Sequence, residues 1–176
     1  MTSPFALLYR LAEMLAAISM ILILLLVGGG IVLRTAGFQL AGSDDLAAYC
    51  LVAIFFLALG PTYRHAEHIR VGLVIDRLPT AARKPLECLL TVLAALCTAW
   101  ATWWLGRLVY DSHRFGDVAQ GLLPVPLWIP QLSMVVGAAI LLVALLEDLV
   151  RCARGLKPSY LEVSDQTADD QPLFER

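Results

Sequence analysis

The sequence predicts an all-α membrane protein with four transmembrane helices. Four long apolar stretches, at residues 11–33, 46–63, 86–106 and 127–146, are each long enough to cross about 30 Å of hydrocarbon as a helix. None of them alternates with a period of two, which argues against barrel strands. The gaps between the stretches are too short to hold a soluble domain. We therefore expect one transmembrane domain, residues 1–155, followed by a polar, disordered tail, residues 156–176.

The distribution of Lys and Arg predicts that both termini lie inside. If the N-terminus is inside, only Arg34, Arg107 and Arg114 fall in outer segments before the tail. Nine Lys or Arg residues then fall on the inner side: Arg10, Arg64, Arg70, Arg77, Arg83, Lys84, Arg151, Arg154 and Lys157. Basic residues concentrate on the cytoplasmic side of membrane proteins. This bias predicts an N-in, C-in topology.

The first apolar stretch is too long for the apolar region of a signal peptide, and we interpret it as a retained helix. It carries Gly28, Gly29 and Gly30 near its outer end, and Gly137 lies in the fourth stretch. Small residues in a membrane helix let a second helix approach closely. These glycines are therefore candidate helix-packing positions.

Asp44 and Asp45 open the second helix, after a turn at Gly42 and Ser43. Acidic residues in a first helical turn favour helix initiation, which is a sufficient reason for both. The same two carboxylates lie in a short outer loop, where they are also able to meet a partner. Both interpretations remain open for Asp44 and Asp45.

The segment between helices two and three mixes basic residues with Ile, Val and Leu, which predicts a segment lying at the membrane interface. Pro79 should end it, and residues 80–85 should form the turn into helix three. His65 and His68 are spaced for one helix face, but two ligands do not make a metal site. We expect neither a metal nor a cofactor.

Aromatic residues mark the outer ends of helices three and four. Trp103, Trp104 and Trp128 are predicted to anchor these helices at the membrane interface. The middles of the spans hold few polar residues, and the sequence offers no catalytic triad, no phosphate-binding glycine loop and no carboxylate cluster. We expect a non-catalytic accessory membrane subunit, with no sign of a nucleic-acid partner.

Several short motifs follow one another in a characteristic order. They are residues 43–49 (SDDLAAY), Gly60 with Tyr63 and Arg64, residues 68–71 (HIRV), residues 76–79 (DRLP) and residues 126–128 (PLW). In this order they resemble the small permease subunit of tripartite ATP-independent periplasmic (TRAP) transporters, of the DctQ type. Asp44 and Asp45 stand where that family often has glutamates, and Gly72 stands where an aspartate is common.

The resemblance implies a place in the bacterial inner membrane and a supporting role in transport. A periplasmic solute-binding protein would deliver an organic acid, such as a dicarboxylate or sugar acid, to a large permease subunit that couples uptake to sodium. This chain would scaffold the permease among membrane lipids. The implied subunit contacts are Gly28, Gly29, Gly30, His68, Arg70, Asp76, Arg77 and Gly137, and the implied outer-face contacts are Asp44, Asp45 and Arg114.

Two alternatives stay open from the sequence. One is the small four-span subunit of tripartite tricarboxylate transporters. The other is the membrane anchor of a redox chain, although histidines paired within the spans, which haem would require, are absent from the sequence.

Overall fold

The computed structural model describes residues 5–38, 41–64 and 80–154 of the chain. These residues form four α-helices: α1 Ala6–Thr35, α2 Ser43–Arg64, α3 Thr80–Phe115 and α4 Trp128–Ala153. Each is long and apolar enough to cross a membrane. The described part contains no β-structure beyond one isolated bridge. The predicted all-α fold with four spans is confirmed, and the N-in, C-in orientation remains a prediction.

All four helices extend beyond the apolar stretches that predicted them. α1 begins at Ala6 instead of residue 11, and α4 continues to Ala153. The expected turn at residues 80–85 is wrong, because α3 begins at Thr80 and contains Pro85. A proline this close to a helix N-terminus removes only one backbone hydrogen bond, so the helix continues through it. The expected interfacial segment falls mostly on residues 65–79, which lie outside the described residues, as does the tail.

The helices lie side by side in the order α1, α2, α4, α3. α2 and α4 both have two close neighbours, whereas α1 packs mainly on α2 and α3 mainly on α4. The share of buried residues in an apolar 18-residue stretch of each helix agrees with this order. It is 0% in α1 and 11% in α3, against 22% in α2 and 28% in α4. The two end helices therefore present most of their apolar surface to the outside of the chain.

Two glycines allow α2 and α4 to approach closely. A Cβ added at Gly60 would lie 2.6 Å from Cγ2 of Ile140, and one added at Gly137 would overlap the backbone carbonyl of Phe56. At such distances neighbouring atoms must move to accommodate a Cβ, and at Gly137 those atoms belong to the helix backbone. These contacts place residue 56 level with residue 137 and fix how far α2 is shifted along α4.

The buried core lies between α1, α2 and α4, with a contribution from α3. It consists of Tyr9, Ala12, Leu57, Tyr63, Ala95, Ile140, Ala144 and Leu145. We call the end of the bundle near Tyr9 and Tyr63 the tyrosine end. The opposite end, which carries the α3–α4 connection at residues 116–127, is the hairpin end.

Candidate functional site

The connection between α3 and α4 is an ordered hairpin. Val118 and Pro126 form an antiparallel bridge. The amide of Ala119 donates to the carbonyl of Val125 at 2.9 Å, and the amide of Leu127 donates to the carbonyl of Asp117 at 3.0 Å. Backbone bonds of this kind satisfy the polar groups of a segment between two helices and restrict its motion. The hairpin is therefore a defined surface at this end of the bundle.

Asp45 ties this hairpin to the start of α2. Its Oδ2 atom accepts a hydrogen bond of 3.1 Å from the backbone amide of Leu122. A side chain at position 121 would collide with the Asp45 carboxylate, so Gly121 permits the close approach. Gly42, just before α2, has φ +79°, and a side chain added there would collide with the side chain of Leu123. The α1–α2 turn and the α3–α4 hairpin therefore form one joined surface.

A polar cavity of about 380 Å³ opens on this joined surface. It is lined by Arg34, Gly42, Asp44, Asp45, Gln120, Gly121 and Leu122. Within the described residues, the side chains of Arg34, Asp44 and Gln120 make no hydrogen bond or ion pair. A guanidinium, a carboxylate and an amide are thus able to bind the same partner at this cavity. Such a mixture suits a polar protein surface that presents charges of both signs.

The tyrosine end is held by two long-range hydrogen bonds to adjacent carboxylates of α4. The hydroxyl of Tyr63 donates to Oδ2 of Asp148 at 3.0 Å, and the hydroxyl of Tyr9 donates to Oε2 of Glu147 at 3.2 Å. Asp148 is only 1% exposed. A buried carboxylate is tolerated where donors satisfy it. This end of α4 is therefore tied to both α1 and α2.

A cation completes the cluster at the tyrosine end. The guanidinium carbon of Arg64 lies 4.4 Å from the centre of the Tyr9 ring, within the range of a cation–π interaction. Arg64 thereby brings a positive charge next to the ring whose hydroxyl donates to Glu147. Because five side chains from three helices take part, this cluster fixes the relative position of α1, α2 and α4.

Between the two ends, hydroxyl groups bond to the backbone of their own helix. Ser19 donates to the carbonyl of Leu15 at 2.9 Å, Thr102 to that of Thr98 at 2.7 Å and Ser133 to that of Pro130 at 2.6 Å. These hydroxyls are satisfied locally and do not converge on a common point. Within residues 5–38, 41–64 and 80–154, no three His, Cys, Asp or Glu side chains group as metal ligands.

The structure places the glycines named from the sequence in different surroundings. Among the described residues, a Cβ at Gly28 or Gly29 would meet nothing within 4 Å, and one at Gly30 would meet only the hydroxyl of Ser43, at 3.6 Å. The space beside Gly137, by contrast, is already filled by α2 of the same chain. Gly28 and Gly29 are thus open to a partner outside the chain.

The remaining named residues are distributed along the bundle. Asp44 and Asp45 both line the polar cavity, whereas Arg114 is not among its lining residues and lies beside its neighbour Phe115. Trp103 and Trp104 are exposed on α3, and Trp128 begins α4. The predicted contacts at His68, Arg70, Asp76 and Arg77 lie outside the described residues.

Sequence reasoning missed the tyrosine-end partners on α1 and α4. Glu147 and Asp148 follow the last apolar stretch directly, and Tyr9 precedes the first. A weak signal was available, because tyrosines and adjacent acids stand at matched ends of three spans. The pairing itself joins residues 138 and 85 positions apart, and no local pattern specifies such a contact.

Comparison with known proteins gives a family match over most of the chain. The family model described as "Tripartite ATP-independent periplasmic transporters, DctQ component" matches residues 23–155. The match includes the polar cavity, the hairpin, Tyr63, Glu147 and Asp148, and it begins after Tyr9. No curated protein matches the chain.

Proposed function

Because this chain belongs to the family of DctQ components of tripartite ATP-independent periplasmic transporters, we propose that it scaffolds the large permease subunit of such a system. The transporter takes up an organic acid, of the dicarboxylate or sugar-acid class, with sodium as the coupling ion. A periplasmic solute-binding protein delivers the acid. The observation that carries this proposal is the family match across residues 23–155, together with four helices able to span a membrane.

The interior of the bundle supports a scaffolding role. A carrier needs polar ligands or broken helices near the middle of the membrane. The hydroxyls of Ser19, Thr102 and Ser133, which lie within the spans, are instead bonded to the backbone of their own helices. Movement of the acid therefore belongs to the large permease, and this chain contributes surfaces to it.

We assign the two ends of the bundle to the two sides of a bacterial inner membrane. In the N-in, C-in topology, the hairpin end faces the periplasm and the tyrosine end faces the cytoplasm. The polar cavity is then the periplasmic docking surface for the binding protein, with Arg34, Asp44 and Gln120 free to bind it. Reporter fusions after Gly42 and Gly116 should show periplasmic placement, and cytoplasmic placement of both would contradict the assignment.

The proposed function is tested by uptake in cells that lack this chain. Deletion should abolish sodium-dependent uptake of the acid that the partner binding protein binds, and a plasmid copy should restore it. Replacing sodium by choline in complemented cells should have the same effect as deletion. Uptake that persists in the deletion strain would contradict the proposal.

The family match supports this proposal over the two alternatives. A tricarboxylate-transporter subunit and a redox-chain anchor are different families, and the matched stretch includes the α1–α2 turn, the hairpin and three complete helices. A haem absorption band in the purified chain would instead support the interpretation as a redox-chain anchor.

A further inference from the structure

α3 carries two stripes of residues with the same spacing on opposite faces. The first stripe faces α4, and its buried members Thr91, Ala95 and Ser112 are 8%, 6% and 3% exposed. The positions between them, at residues 98, 102, 105 and 109, are half-buried. The steps alternate between four and three residues, the spacing of a helix that packs lengthwise along another helix.

The second stripe, which we call the free seam, repeats this spacing on the opposite side. Its members are all exposed: Leu89, Leu93, Leu96, Trp100, Trp103, Arg107 and Tyr110. The apolar and aromatic members are 56% to 69% exposed. A heptad-spaced row of large side chains is suited to packing against a second helix, just as the opposite row packs against α4.

The contact between α3 and α4 shows how far along the bundle the tryptophans of the free seam lie. The ring of His113 lies edge-on to that of Trp128, with centroids 5.5 Å apart. Because the two helices are antiparallel, Trp103 lies about 15 Å along the axis from this level, at about 1.5 Å per residue. The apolar part of α4, from Trp128 to Glu147, is about 28 Å long by the same measure. Trp103 is therefore level with the middle of α4.

Lipid is a poor neighbour for this arrangement. Tryptophans in membrane helices favour the interface, yet Trp103 and Trp128 are too far apart along the axis to lie at the same interface. Arg107 is about 9 Å inside the level of Trp128 and makes no hydrogen bond or ion pair within the described residues. An arginine at such a depth is stabilised by a polar or acidic partner beside it.

The other end helix differs in chemistry. Large exposed side chains of α1 between residues 14 and 33 are aliphatic or Met, and no charged residue lies between Glu13 and Arg34. Such a surface is suited to lipid chains. Trp and Arg, which the free seam of α3 carries, are the residue types enriched in protein interfaces.

We propose that the free seam of α3 packs lengthwise against a transmembrane helix of the large permease, with a carboxylate of that helix opposite Arg107. The proposal rests on the proposed function and identifies the face of this chain that the permease covers. Trp100 and Trp103 insert between side chains of the permease helix. Arg107 sets the register of the two helices through its ion pair.

Site-specific photo-cross-linking in the co-expressed complex tests this contact. Benzoylphenylalanine at position 96 or 103 should cross-link to the large permease at least five times more than at position 51, which is 62% exposed on α2. Cross-linking at position 51 equal to that at positions 96 and 103 would overturn the proposal. Cross-links from the seam to a second copy of this chain, or to neither protein, would also overturn it.

A charge reversal provides an independent readout. Arg107→Glu should lower the amount of permease retained by the tagged chain at least fivefold, while the exposed control Arg154→Glu should retain the wild-type amount. Wild-type retention by Arg107→Glu would overturn the proposed ion pair. If the wild-type chain itself retains no permease, the proposed function fails. If the wild-type chain and Arg107→Glu retain the permease equally, only the proposed contact of the seam fails.

Discussion

The hydroxyl of Tyr63, near the end of α2, donates a 3.0 Å hydrogen bond to Oδ2 of Asp148, near the end of α4. The carboxylate is almost fully enclosed, at 1% exposure. A buried carboxylate that loses a donor retains its desolvation cost without part of the compensation. This pair should therefore contribute measurably to the stability of the bundle.

Tyr63→Phe should destabilise the chain by about 1–3 kcal/mol, because it removes a donor from a buried carboxylate while keeping the ring. Thermal unfolding in detergent, followed by tryptophan fluorescence, measures the change. Tyr110→Phe is the matched control, since Tyr110 is 62% exposed and should tolerate the loss. Equal unfolding temperatures for both variants would contradict a stabilising role for the Tyr63–Asp148 bond.

Tyr9 makes two contacts that substitutions can separate. Tyr9→Phe removes the hydrogen bond to Glu147 and keeps the ring beside Arg64, whereas Tyr9→Leu removes both contacts. We expect Tyr9→Leu to be less stable than Tyr9→Phe, by roughly 0.5–2 kcal/mol for the cation–π contact and by a further amount for lost packing. Repeating both changes in an Arg64→Gln background should reduce this difference. An undiminished difference would show that the Arg64 contact contributes nothing.

Two glycine substitutions should differ in their effect on stability. Gly137→Ala should destabilise the chain by roughly 1–3 kcal/mol, because its methyl group would overlap the Phe56 carbonyl. Gly28→Ala meets open space and should be neutral or stabilising by up to about 1 kcal/mol, since alanine is the better helix former. Thermal unfolding of the isolated chain compares them. A Gly137→Ala variant as stable as Gly28→Ala would contradict the close approach of α2 and α4.

Substitutions of the two neighbouring aspartates at the hairpin end should distinguish a structural role from a docking role. Asp45→Ala removes the acceptor of the Leu122 amide, so that amide should exchange its hydrogen several-fold faster in deuterium-exchange measurements. Asp44→Lys should leave this exchange unchanged, because Asp44 does not bond to the hairpin, but should weaken docking of the binding protein. Faster exchange in both variants would contradict the distinction.

The sequence predicted the number and approximate positions of the helices, because hydrocarbon thickness requires long apolar runs. It placed the helix ends less well, since apolarity stops at the membrane interface while backbone hydrogen bonding continues, as at Ala6 and Thr80. It also indicated that Asp44 and Asp45 open the second helix, where the structure has them. The hairpin, the helix order and the Tyr63–Asp148 pair depend on contacts between distant segments, which local patterns do not encode.

The glycines illustrate the same limit. Gly28 and Gly137 look alike as small residues within apolar runs, and both were expected at a subunit contact. The structure distinguishes them, because α2 fills the space beside Gly137, whereas no residue of the described part of the chain lies within 4 Å of a Cβ at Gly28. Only the helix order determines which small residues remain open to a partner.

The central claim, that this chain is the small subunit of a TRAP transporter, is tested most directly by size-exclusion chromatography after co-expression with the large permease. An affinity-tagged form of the chain, purified in mild detergent, should elute together with the permease in one peak of constant ratio. Elution of the permease in a separate peak, while the chain remains helical by circular dichroism, would contradict the claim.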